Sequence, residues 1–106
     1  MVTEKPKEDK IDGLKIKVRL LNKDEINERN LPKNTTGLVI TEIDKDSPVN
    51  YLQVNNIIVE AQKKKINTIG DLDNIVKLAL KSNDRSLLIA IYNNNNQRRY
   101  IGVKLN

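Results

Sequence analysis

The chain has 106 residues, enough for one domain with a modest core, and 38% are hydrophobic, with Ile, Leu and Val supplying nearly all the large ones. The absence of Cys excludes a disulfide framework and thiolate metal sites, and the absence of His removes the commonest general base and metal ligand. The net charge of +5 comes from interleaved runs such as Lys23-Asp24-Glu25, and with three Tyr and no Phe or Trp to stack bases, no nucleic-acid partner is expected.

Residues 1–11 are rich in Lys and Glu, carry Pro6 and show no apolar period, which reads as a flexible linker or chain end. Met1 to Lys5 does not resemble a signal peptide, and no apolar run approaches membrane-spanning length, so no membrane insertion is expected. The chain reads as a piece of a longer parent that would carry any address signal. Next comes Asp12-Gly13, and then Leu14, Ile16, Val18 and Leu20 alternate with Lys15, Lys17 and Arg19, a strand with one apolar face and three cations in water. Glycine before such a strand frees the backbone to turn its N–H groups into a common concavity suited to a carboxylate.

Asn22 or Asp24 can cap a short helix through Glu25–Arg29, which Leu31-Pro32 ends. Leu38–Ile43 is β-branched and apolar, a central strand. Ser47-Pro48 places a hydroxyl cap before a proline, predicting one helical turn through Val49–Leu52. Asn55-Asn56 suits a left-handed turn, Ile57–Ala61 is a strand, and Lys63-Lys64-Lys65 is a cationic turn. From Thr68 the period becomes helical: Leu72, Ile75, Val76, Ala79 and Leu80 share a stripe, with Asp71 and Asp73 in the first turn. Ser82-Asn83-Asp84 closes that helix, and Leu87–Tyr92 and Arg99–Leu105 form a hairpin through Asn93-Asn94-Asn95-Asn96. The order predicts a small α+β domain, an antiparallel, strongly bent sheet capped by two helices.

That series, carried by DGLKIKVRLL, NERNLPKNTTGLVITEIDKDSPVNYLQVNNIIVEAQ, INTIGDLDNIVKLAL and IAIYNNNNQRRYIGVKL, resembles a PDZ domain in the bacterial, circularly permuted arrangement. More narrowly it looks like the C-terminal (second) PDZ domain of HtrA (Deg, Do-like) periplasmic serine proteases, over about Asp12 to Leu105. The resemblance implies residues 12–106 as the domain, a PDZ-like partial barrel of five to six strands capped by two helices. It further implies a peptide-binding module of a protein quality-control protease in the bacterial periplasm or cell envelope. Its partners would be peptide C-termini or unfolded protein segments, and other domains or subunits of the parent protease.

In such a module a peptide adds as a strand beside Leu14–Val18 and against the long helix. By the same resemblance, the loop Asp12, Gly13, Leu14 and Lys15 holds the terminal carboxylate, and Ile16, Lys17 and Val18 form the receiving edge. The last side chain enters a pocket of Leu14, Ile16 and Val76 with Leu80 at its floor, and Ile69, Asp73, Val76 and Lys77 face the groove. Asp12 stands where the family carries a bulky apolar residue, and a carboxylate there would repel the ligand's own.

The alternating cations Lys15, Lys17 and Arg19 either attract acidic peptides or discourage edge-to-edge aggregation. Lys63–Lys65 is a solvated turn or an anionic contact with a neighbouring domain or with head groups. Ser47 reads as a cap, and Ser82 and Ser86 have no His to activate them, so no catalytic residue, metal ligand or cofactor is expected. The parent's catalytic triad would lie on a preceding protease domain. The alternatives are a structural or assembly domain with a vestigial groove, or a PDZ domain of another envelope protease or secretion protein.

Overall fold

In a computed structural model describing residues 8–105, the chain forms seven strands and two helices. In order these are β1 (Glu8–Ile11), β2 (Ile16–Leu20), α1 (Lys23–Glu28), β3 (Leu38–Ile43), β4 (Ile57–Ala61), β5 (Lys64–Lys65), α2 (Ile69–Lys81), β6 (Ser86–Tyr92) and β7 (Arg98–Lys104). One antiparallel sheet runs β1-β2-β3-β4-β6-β7, with β5 paired to β4. Bulges between Lys17 and Val18 and between Ile58 and Glu60 add twist and bend. The result is an α+β, PDZ-like fold.

Both helices begin where their caps stand. Asn22 Oδ1 accepts from Glu25 N at 2.8 Å, and the Glu25 carboxylate reaches back to Asn22 N at 3.4 Å. Thr68 Oγ1 accepts from Asp71 N at 3.1 Å, while Asp71 Oδ2 accepts from Thr68 N at 3.1 Å and Asn67 N at 3.0 Å. The Ser82 hydroxyl donates to Ala79 O at 2.7 Å and closes α2.

The central strands are apolar in unbroken runs because both faces of the sheet are covered. Leu38, Ile40, Ile58, Ile89 and Ile91 pack with Leu72, Val76 and Ala79 of α2. Val39, Ile57, Val59 and Ala90, between them in sequence, pack on the other side with Ile26 of α1 and Leu31.

Three local expectations change. Two strands are additional to those read from the sequence, β1 and β5. Glu8–Ile11, expected within a linker, pairs with β2 from Glu8↔Arg19 to Ile11↔Ile16, because Ile11 is fully buried there; residues 1–7 of that linker lie outside the described residues. Of the cationic run only Lys63 is in the turn: Gln62 and Lys63 take φ of 52° and 66°, a two-residue hairpin loop, and Lys64-Lys65 pair with Ala61 and Glu60. The segment after Ser47-Pro48 makes hydrogen-bonded turns and no helix, because the Ser47 hydroxyl, while accepting from Val49 N at 3.0 Å, donates at 2.5 Å to Leu14 O.

Candidate functional site

The first turn of the sheet, Asp12–Lys15, lies beneath α2. Gly13 has no positive φ; the residue that turns left-handed is Lys15, at 53°. Glycine is required at position 13 for space, since an added Cβ would overlap Val76 Cγ1 and sit 3.0 Å from Leu80 Cδ1. The expected reason for Gly13, backbone freedom, gives way to close approach between the loop and α2.

Loop amides point back along the chain. Leu14 N and Lys15 N both donate to Ile11 O, at 3.1 and 2.7 Å, and Lys15 N also approaches Asp12 O at 3.3 Å. Two of the donors expected to hold a ligand carboxylate are therefore engaged by the carbonyl of the chain's own β1. The loop is braced from below: Leu14 O accepts the Ser47 hydroxyl, and Lys15 O accepts Asp44 N at 3.0 Å.

The residues singled out in the sequence gather at this end of the sheet. Leu14, Ile16, Val18 and Val76 are buried in one cluster with Ile11, and Ile69 and Leu80 pack against it half-buried. Lys17 points outward and pairs with Glu42 at 3.4 Å, so its charge is already matched across the β2–β3 ladder. Asp12 is exposed and lines an open cleft with Asp9, Ile69, Gly70 and Asp73. Asp73 pairs with Lys77 at 2.8 Å one helical turn on; that bond, the charge of Asp73 and the charge of Asp12 raise the Lys77 ammonium above its usual pKa. Asp12 is thus partly screened by a cation on α2.

Sequence reasoning missed Ile11, whose side chain sits in the cluster named for the ligand's last residue. The signal was present, because Asp12-Gly13 is a hairpin dipeptide between Ile11 and an alternating strand. It also missed Arg29. Its guanidinium donates to Asn55 O at 2.8 Å, Asn93 O at 2.7 Å and Asn96 Oδ1 at 2.6 Å, joining two turns distant in sequence. The four-Asn run belongs to the same scaffold: Asn94 bonds Gln53 Oε1 at 3.0 Å and buried Asn56 bonds Asn94 at 3.1 Å.

No protein-family profile and no curated protein matches this sequence. Among solved structures, the fold is similar to that of "HtrA-type protease AlgW with decapeptide", with TM-score 0.65 and 18% identity over 87% of this chain. The match spans 28% of that protein's chain, so the likeness concerns the fold of one part of it.

Proposed function

We propose that this chain is a non-catalytic, PDZ-like module that receives an extended polypeptide end between β2 and α2 by β-augmentation, within an HtrA-type serine protease of the cell envelope. One observation carries the reading. The groove already holds an extended segment, β1, antiparallel to β2 with its C-terminal residue at the loop and its last carbonyl on the Leu14 and Lys15 amides. A peptide terminus would make the same bonds with its carboxylate, and Ile11 marks where its last side chain would lie. The solved neighbour is described with a decapeptide, which agrees with a peptide-handling parent. The protease activity, the quality-control role and the envelope location would belong to that parent, which carries the catalytic residues outside this segment.

The test is a titration with peptides ending in Val, Leu or Phe, followed by amide chemical shifts to millimolar concentration. Perturbations are expected along Gly13–Val18 and Ile69–Lys77. Absence of any shift, both in the intact chain and in an Ile11→Ala variant with weakened β1 docking, would contradict the reading. A second reading is favoured by the complete burial of Ile11: an assembly domain whose groove is permanently closed by β1. Truncation of this segment from the parent would then change oligomer size in sedimentation without a peptide-binding defect.

A further inference from the structure

We infer that β1 is an internal competitor for the groove, and that the peptides able to displace it end on an aliphatic residue and avoid an acid two positions earlier. This rests on the reading of the β2–α2 groove as a peptide site and adds how the site is gated and what it selects.

The polarity supports the first half. From Glu8↔Arg19 to Ile11↔Ile16, β1 runs toward the loop, so its end lies where a bound peptide's end would lie. Ile11 O occupies the Leu14 and Lys15 amides, and the Ile11 side chain is 0% exposed among Leu14, Ile16 and Val76. A free carboxylate and an aliphatic side chain cannot enter while Ile11 stays. Release requires little else to break. β1 is the outermost strand with one sheet neighbour, and among its described side chains Asp9 and Lys10 are exposed and Ile11 is the buried anchor. Short edge segments with few buried contacts open below the global unfolding limit.

Charge supports the second half. Asp9 shares the helix-facing side of β1 with Ile11 and lies in the cleft lined by Asp12 and Asp73. Three carboxylates meet there, facing Lys77 on α2 and the flanking Lys10 of β1 itself. When β1 leaves, it removes Asp9 and Lys10, and Asp12 and Asp73 remain against Lys77, an excess of one negative charge. An incoming acid at the Asp9 position meets that excess, whereas a Lys or Arg there answers it. The docked segment is therefore a tolerable ligand but not the best one.

The cysteine-free sequence allows a reversible lock. Lys10 and Lys17 are exposed and directly opposite across β1 and β2, so Lys10→Cys with Lys17→Cys ties β1 into the groove when oxidised. Binding of acetyl-Glu-Lys-Lys-Ile with a free carboxylate is measured by calorimetry in both redox states of the full chain. The reduced form should bind, and the oxidised form should bind at least about tenfold more weakly, as a closed groove lowers the competent fraction. Acetyl-Glu-Asp-Lys-Ile, the β1 sequence itself, should bind the reduced form more weakly than its Lys-substituted counterpart. An Ile11→Ala chain, which removes the buried anchor of β1 without a disulfide, should bind more tightly than the natural chain. Equal binding by oxidised and reduced forms would overturn gating by β1 while leaving the peptide site intact. No binding by either the reduced form or Ile11→Ala would overturn the peptide site and the gate with it.

Discussion

The amide of Lys15 donates to the carbonyl of Ile11 at 2.7 Å, so the loop that precedes β2 is closed by the residue that precedes the loop. This contact makes one short turn both the end of a strand and the end of a groove. Its backbone donors are directed, held by Ser47 and Asp44 behind Leu14 and Lys15, and ready for an oxygen in front. Under the proposed function, whether that oxygen belongs to Ile11 or to another chain is decided by the free energy of docking four residues.

Gly13→Ala places a methyl group against Val76 and Leu80, and both are tied into the packing of α2 on the sheet. Overpacking of this kind costs about 1–3 kcal/mol. The melting temperature should fall by roughly 5 °C or more, read by circular dichroism. An unchanged melting temperature would mean that the loop and α2 separate without loss.

Arg29→Ala should destabilise the chain by about 1–2 kcal/mol in urea unfolding, since one guanidinium serves three acceptors on two turns. Arg29→Lys should recover only part of this, because a single ammonium cannot present the same fork. Equal stability of the Lys and natural chains would show that the charge matters and the geometry does not.

Glu25 gives the acid limb of stability a defined sign. Hydrogen bonding from Arg19, at 2.5 and 2.8 Å, outweighs desolvation and lowers the carboxyl pKa below its ordinary value of 4.5. A group whose folded pKa is depressed stabilises the fold above the unfolded value and loses that contribution as pH falls through the folded one. Stability should therefore decline below the ordinary carboxylate range, and Glu25→Gln should decline less over that interval. Identical acid limbs in urea midpoints measured from pH 6 to 2 would contradict the pairing.

Asp12→Leu removes a carboxylate from the cleft that Asp9 and Asp73 share. Binding of apolar C-terminal peptides should strengthen, most clearly in an Ile11→Ala background where β1 competes less. Lys77 should lose part of its raised pKa, since Asp12 is one of its causes. Unchanged affinity would show that Lys77 already neutralises Asp12.

Much of the fold was legible because its signals are local. Asn22 and Thr68 start helices through side chains three residues from their partners, and the β6–β7 hairpin announces itself by two apolar runs around Asn93–Asn96. The runs Leu38–Ile40 and Ile57–Val59 show burial on both faces but not which helix covers which face. What stayed hidden depends on contacts distant in sequence. Glu8–Ile11 contains one apolar residue, which defines no period, and it is a strand because β2 offers an edge and α2 a pocket. Ser47 looks like a helix cap until its hydroxyl meets Leu14, 33 residues away. The candidate site was legible as a region, the loop, the first alternating strand and one face of α2; the occupant of that region was not.

The measurement closest to the central claim follows β1 itself during binding. In the full chain, cross-strand NOEs between Asp9 and Val18 report the docked segment, and titration with an Ile-terminated peptide should extinguish them while peptide-to-Val18 NOEs appear. Persistence of the Asp9–Val18 NOEs at peptide saturation, with shifts elsewhere, would place the ligand on another surface and contradict the account.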